Sequence, residues 1–202
     1  NLYLTIIAAL VLAVGTVFPA FAKKSSTFYR LDSTSEKSDT AGNLRILTEG
    51  SYELHDVPEK YGVTVTELPS TAGMDTLHIS GSAQYSEKQF RNLAPVLKEH
   101  AGDEPVYVVD LREESHALVN GRPVSVFGPA NAANAGKTLE EIEADEQERF
   151  GSLPGTTVTF YNVKSDEQGK GKELEVKYWM TEKELVESEG IHYVRIPCTD
   201  HV

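Results

Sequence analysis

The segment from Pro105 to Leu111 constrains the fold more than any other part of the sequence. It is nearly continuous in apolar residues, a pattern typical of a strand that is covered on both faces of a parallel sheet. A helix is predicted directly before it, because Ser86 and Gln89 form a capping box and four apolar residues follow at helical spacing. A helix leading into such a strand predicts a mixed α/β fold.

A second helix and strand repeat this pattern near the carboxyl end. Thr181 and Glu184 form another capping box, and a strand is predicted at 191–196. Between the two helix–strand pairs lies a β-rich stretch, roughly 117–180. We therefore expect an α/β core that is interrupted by a small β-rich domain.

Several further elements are predicted from local patterns. Asn120-Gly121 between two apolar runs indicates a tight hairpin turn. Strands are predicted at 64–66, 77–79, 157–163 and 174–180, and an acidic helix at 138–150. Residues 164–171 are expected to form a polar loop, and residues 23–50 an extended arm with little regular structure.

The first residues of the chain resemble an export segment. Residues 2–18 form an apolar block, and Ala20-Phe21-Ala22 has the small residues that signal peptidase reads. We expect cleavage after Ala22, which places the protein in the periplasm or outside the cell. A retained membrane anchor is the alternative, which Lys23 and Lys24 favour weakly. Since Asn1 is not preceded by a Met and a basic region, we expect the true start to lie outside this sequence.

Charge and cysteine content exclude several classes of function. The formal net charge is −12, and residues 1–22 carry no charged side chain. Such an acidic domain is a poor general binder of nucleic acid or anionic membrane, although a local basic pocket can still bind an anion. Cys198 is the single cysteine, so no disulfide framework is expected. Because its surroundings are apolar and acidic, we expect a small buried filler, not a nucleophile.

Polar clusters follow the two strands of the predicted α/β core. Asp110 to Glu114 ends the first strand, and Thr199-Asp200-His201 follows the second. Ligands of open α/β sheets bind at the carboxyl ends of strands, so the two clusters are candidates for one site. For Asp110 and Arg112 we favour a structural ion pair. For Asp200, a mobile acid and a turn cap remain equally open on these grounds.

The order of several segments resembles the phytases that are built on a protein-tyrosine-phosphatase core. The specific matches are Gly73 to Ser82 and Val109 to His116, and shorter ones lie at 30–32, 43–45, 120–125, 134–137, 193–196 and 199–202. The resemblance implies a phosphatase core with an inserted partial β-barrel. It also implies stepwise removal of phosphate from inositol polyphosphates through a phosphocysteine intermediate, with no metal or other cofactor.

Three residues match functional positions of that family. Asp200 matches the general acid, which protonates the leaving inositol oxygen and then helps to activate water. His201 matches a residue that contacts substrate phosphate. Arg45 matches an arginine of the pocket rim, whose guanidinium suits phosphate recognition. The implied partner is a small polyanionic substrate, with no nucleic acid and, after signal cleavage, no membrane.

The sequence also departs from the family pattern. Asn131 stands where relatives carry Asp, and the basic loop expected around 164–168 is replaced by Lys-Ser-Asp-Glu-Gln. The nucleophile loop His-Cys-x-x-Gly-x-Gly-Arg does not occur in the 202 residues. We expect it beyond Val202, and we expect this fragment alone to be inactive. The implied organisation is a signal peptide at 1–22, a core at 23–116, an inserted domain at 117–180 and a continued core at 181–202.

Two other functions compete with the phosphatase. One is a non-enzymatic exported binding module whose working part is the β-rich domain. The other is an enzyme that uses Asp110, Asp200 and His201 as metal ligands, although these are few for a metal site. A Cys-x5-Arg loop in the downstream reading frame favours the phosphatase, and metal analysis tests the third hypothesis.

Overall fold

A computed structural model describes residues 27–32, 45–46, 70–128, 132–164 and 167–199. The predicted export segment at 1–22, the strand predicted at 64–66 and Asn131 lie outside the described residues. None of the helices in the described ranges is long and apolar enough to cross a lipid bilayer.

The described residues form a mixed α/β fold, as predicted. The helices are α1 (Glu87–Ala101), α2 (Leu139–Gly151) and α3 (Glu182–Ser188), with a short 3-10 helix at Met74–Thr76. The strands are β1 (Phe28–Leu31), β2 (Arg45–Ile46), β3 (Ser80–Gly81), β4 (Tyr107–Arg112), β5 (His116–Val119), β6 (Arg122–Phe127), β7 (Thr157–Lys164), β8 (Glu167–Glu175), β9 (Trp179–Met180) and β10 (His192–Cys198). All three α-helices begin with the capping boxes that the sequence predicts.

One six-stranded sheet gathers most of the strands, in the order β8-β7-β1-β6-β5-β9. The prediction of an irregular arm is wrong at 28–31, because β1 lies inside this sheet, antiparallel to β6 and parallel to β7. Tyr29 and Leu31 pack against the apolar core of the sheet, and the Phe28 ring lies 5.4 Å from the Phe127 ring. Four residues are too short for a periodic signal, so tertiary packing alone identifies this strand.

The hairpin turn at Asn120-Gly121 is confirmed. Both residues have positive φ angles, 50° and 75°, as a type I′ turn requires. The Asn120 side chain also fixes the approach to β9, because its Oδ1 accepts from the Lys177 amide at 2.8 Å. The strand predicted at 174–180 is interrupted after Glu175 and resumes at Trp179.

The polar loop predicted at 164–171 is wrong over most of its length. β7 continues to Lys164 and β8 begins at Glu167, so the two strands form a long antiparallel pair. Glycine makes this possible, since a Cβ at Gly171 would lie 2.7 Å from Thr159 Cγ2. The polar composition therefore reflects an edge strand with glycines at close approach.

The second sheet is the parallel pair β4–β10, in which Tyr107 lies opposite His192 and Asp110 opposite Arg195. Its inner face is covered by an apolar cluster that includes residues of α1, α3 and β5, namely Tyr85, Phe90, Ala94, Leu118, Leu185, Val186 and Ile191. Charged side chains also lie on this inner face, and they form the network that is described below.

The outer face of the β4–β10 pair is apolar and exposed in the described part of the chain. Tyr107, Val109 and Leu111 are 54–58% exposed, and Val194 and Ile196 lie beside them on β10. The prediction that β4 is covered on both faces is therefore wrong for the described residues. A continuous apolar run indicates that both faces of a strand are apolar. It does not indicate which residues pack against those faces.

The strand predicted at 77–79 is displaced. The 3-10 helix at Met74–Thr76 precedes the predicted position. The strand itself begins only at Ser80, as the short β3 that pairs with β2. Leu77 and Ile79 are exposed. His78 has a positive φ of 52°, which an extended strand does not allow.

Candidate active site

The carboxyl ends of β4 and β10 meet at one edge of the parallel pair. β4 ends at Arg112 and is followed by Glu113, and β10 ends at Cys198 and is followed by Thr199. The Thr199 hydroxyl donates to Glu113 Oε1 at 3.1 Å, so the two strand-end segments are in direct contact. This edge is where ligands bind in open α/β sheets.

The residues predicted to act on substrate lie at or beyond the limits of the described structure. Asp200 and His201 follow Thr199 directly in the sequence but lie outside the described residues. The backbone of Arg45 belongs to β2 and pairs with Gly81, whereas its side chain is not described. The roles of these three residues therefore stay predictions.

A network of buried charges lies beneath this edge. Asp110 is at its centre, with a side chain that is 2% exposed. Its Oδ2 accepts from Tyr193 Oη at 2.6 Å and from His116 Nε2 at 3.1 Å, and its Oδ1 accepts from the Arg112 amide at 2.9 Å. Burial alone would raise the pKa of Asp110, but the hydrogen bonds from His116 and Tyr193 outweigh it and lower that pKa strongly.

The expected ion pair between Asp110 and Arg112 takes another form. The Arg112 guanidinium pairs with Asp32 Oδ2 and with Glu114 Oε1, each at 3.0 Å. Asp32 follows β1, and its Oδ1 accepts from Ser125 Oγ of β6 at 2.8 Å. Arg112 thus joins the end of β4 to the six-stranded sheet. Its role is structural, as expected, but its partners are Asp32 and Glu114 and not Asp110.

His116 is a buried member of the network whose surroundings favour the protonated ring. Burial and the nearby Arg112 charge oppose its positive form, but hydrogen bonds to Asp110 and Glu182 outweigh them and raise the pKa of His116 to about 9. Its Nδ1 lies 2.9 Å from the Glu114 carbonyl oxygen, which the protonated ring can therefore donate to. The ring links β5 to β4 and α3.

Arg195 links β10 to α2 and to the residues that end β4 and follow it. Its side chain is 3% exposed. Nη1 donates to Glu146 Oε1 at 2.7 Å, Nη2 to the Glu114 carbonyl at 2.9 Å, and Nε to the Arg112 carbonyl at 3.2 Å. Three segments of the chain, β10, α2 and residues 112–114, are therefore held by one guanidinium.

Three of these groups, Asp110, His116 and Glu182, have potential metal-ligand atoms within 4.8 Å of one another. Metal binding requires a neutral imidazole, whereas the raised pKa of His116 favours the protonated ring. The Glu182 oxygens also accept from Tyr85 Oη at 2.5 Å and from Gln84 Nε2 at 3.0 Å. The cluster therefore fits a hydrogen-bonded charge network better than a metal site.

The protonated state of His116 predicts how stability depends on pH. Its folded pKa of about 9 lies above the unfolded value of about 6.5, so its contribution is complete below pH 6.5 and is lost as the pH rises through 9. We expect the free energy of unfolding to fall by up to about 3 kcal/mol over this window, measured by urea denaturation. His116→Gln should flatten the fall, whereas the exposed control His100→Gln should keep it. Equal slopes for wild type and His116→Gln would contradict this assignment.

Local sequence patterns do not predict this network. His116, Glu146, Glu182 and Arg195 lie on four different elements, so no local spacing connects them. One signal was available, since Tyr193 and Arg195 alternate with apolar residues along β10 and so share a face. Cys198 was predicted to be buried, which is wrong, because it is exposed at the end of β10.

Known proteins share both the sequence pattern and the fold. Residues 109–202 match the model of the protein-tyrosine-phosphatase-like phytase family, whose description reads inositol hexakisphosphate. The tandemly repeated phytase of this type from Mitsuokella multacida superimposes with a TM-score of 0.76 at 35% identity, covering 87% of this chain. A structure of the Mitsuokella multacida myo-inositol phosphatase in complex with myo-inositol-(1,3,4,5)-tetrakisphosphate has the same TM-score at 33% identity.

Two further relatives extend the comparison. The effector protein hopD2 of Pseudomonas syringae pv. tomato (strain ATCC BAA-871 / DC3000) is 33% identical over 146 residues, which is 68% of this chain. A phytase from Bdellovibrio bacteriovorus shares the fold, with a TM-score of 0.58 at 24% identity over 88% of this chain and 52% of its own. The present chain spans only 30% of hopD2 and 29% of each Mitsuokella multacida chain.

Proposed function

Because this chain belongs, over residues 109–202, to the family of protein-tyrosine-phosphatase-like phytases, we propose that it forms part of a phosphatase that acts on inositol polyphosphates. The observation that carries the proposal is the similarity in both sequence and fold to a phosphatase solved with an inositol tetrakisphosphate. The meeting of the strand ends of β4 and β10 supports it, because Asp200 follows directly from that edge.

In the proposed reaction a cysteine thiolate attacks phosphorus, and the bond from phosphorus to the inositol oxygen breaks. Asp200 gives its proton to that oxygen, because an alkoxide is a poor leaving group. Water then attacks the phosphocysteine, and Asp200 takes back a proton as inorganic phosphate and the thiolate are released. Arg45 and His201 bind the phosphate groups of the substrate.

The nucleophile is not among these 202 residues. The sequence has no His-Cys-x-x-Gly-x-Gly-Arg loop, and its one cysteine, Cys198, is exposed at the end of β10. The chain would therefore supply the general acid, part of the phosphate-binding rim and the scaffold beneath them. Export to the periplasm or the cell exterior is part of the same proposal, and it rests on Ala20-Phe21-Ala22.

The proposal is tested by measuring phosphate release from myo-inositol hexakisphosphate. The protein encoded by the whole reading frame should turn the substrate over, also in the presence of a metal chelator, and the 202-residue chain should not. Replacing the cysteine of the nucleophile loop by serine is the matched control and should abolish turnover. A whole reading frame without a Cys-x5-Arg loop, or turnover by the 202-residue chain above background, would overturn this mechanism.

A further inference from the structure

The register of β10 against β4 shifts just before the strand end. Arg195 lies opposite Asp110, but Cys198 lies opposite Arg112. In an unshifted parallel register Pro197 would occupy that position, so β10 carries one extra residue here. Such irregularities bend a strand and redirect the side chains that follow, and they are common beside active sites.

Contacts on both sides hold this shifted segment. On one side the buried Arg195 guanidinium donates to the Glu114 carbonyl at 2.9 Å and to Glu146 Oε1 at 2.7 Å. On the other side the Thr199 hydroxyl donates to Glu113 Oε1 at 3.1 Å. Glu113 is itself fixed, because its side chain is largely buried and its carbonyl accepts from Asn134 Nδ2 at 3.2 Å.

We propose that Thr199 is a positioning residue for the general acid, acting through its hydrogen bond to Glu113. This inference rests on the proposed function, in which the next residue in the sequence, Asp200, donates a proton to the leaving oxygen. A general acid must lie within hydrogen-bond reach of that oxygen, and a displacement of about 1 Å can cost on the order of 10²-fold in rate. Thr199 is the described residue that directly precedes Asp200, and its hydroxyl ties this end of β10 to Glu113.

The experiment uses the protein encoded by the whole reading frame and two substrates with different leaving groups. Inositol hexakisphosphate releases an alkoxide and needs the proton, whereas p-nitrophenyl phosphate releases a stabilised phenolate and depends on it far less. For Thr199→Val we expect kcat to fall by about tenfold with inositol hexakisphosphate and by less than about threefold with p-nitrophenyl phosphate. Thr199→Ser keeps the hydroxyl and should restore most of the loss.

The matched control is Thr156→Val. Thr156 precedes β7, far along the chain from Thr199, and its hydroxyl donates to the Leu153 carbonyl at 2.6 Å. The control loses the same chemical group, so it should lower both rates by a similar, small factor. If Thr199→Val behaves like Thr156→Val, or if Thr199→Ser is as impaired as Thr199→Val, the positioning role is refuted.

Asp200→Asn separates this inference from the function on which it rests. A strong, selective loss with inositol hexakisphosphate in Asp200→Asn, but not in Thr199→Val, refutes only the positioning role of Thr199. Equal losses with both substrates in Asp200→Asn refute the assignment of the acid itself, and the positioning role then fails with it. A selective loss in both variants supports both.

Discussion

Replacing Asp200 by Asn in the protein encoded by the whole reading frame is expected to lower kcat for inositol hexakisphosphate by about 10²–10⁴. The amide has nearly the same shape as the carboxyl group but cannot transfer a proton to the departing alkoxide. The measurement is the initial rate of phosphate release across pH. The limb of the pH profile that requires a protonated acid should disappear in the variant.

A second carboxylate serves as the control for this substitution. Asp103 lies in the exposed turn after α1, so Asp103→Asn should leave both kcat and the pH profile close to those of the wild type. A loss in Asp200→Asn that is smaller than about tenfold, with the fall in rate at high pH unchanged, would show that another group donates the proton.

The largest effect on stability is expected for Arg195→Met. In the intact protein the Arg195 guanidinium lies 3.5 Å from Asp110 Oδ2 and 2.7 Å from Glu146 Oε1. Methionine fills much of the same volume but leaves both buried carboxylates without this partner. Removing one partner of a buried ion pair typically costs about 3–5 kcal/mol. Urea denaturation of the 202-residue chain, wild type and variant, measures the difference.

Arg149→Met is the matched control for that substitution. Arg149 also pairs with a carboxylate, Asp145 at 2.8 Å, but one turn away on the same helix and with a side chain that is 36% exposed. Exposed pairs of this kind contribute about 0–1 kcal/mol. If the two variants lose similar amounts, the buried network contributes no more to stability than a surface pair.

Features of the fold that depend on neighbouring residues could be predicted from the sequence. The three capping boxes and the Asn120-Gly121 turn are examples, because each is a contact between residues at most three positions apart. β1 could not be predicted in this way. Its four residues are stabilised by β6 and β7, whose paired residues lie about 100 and about 130 positions further along the chain.

The candidate site likewise has parts that the sequence predicts and parts that depend on the tertiary fold. The segment from Val109 to His116 was identified as specific, but its sequence does not reveal that its side chains contact the end of β1, β10, α2 and α3. Those partners are set by the tertiary fold. Conversely, the role predicted for Asp200 comes from family resemblance, and kinetics has to test it.

The network of buried charges connects the six-stranded sheet to the β4–β10 pair, and this connection affects how the protein unfolds on heating. Taking charges out of water becomes less costly as temperature rises, because their hydration free energy becomes less favourable. The contacts of Arg112, His116 and Arg195 should therefore retain their strength in warm solution. We expect the two sheets to stay docked until the whole domain melts, so that heating gives one cooperative transition without separate melting of the β4–β10 pair.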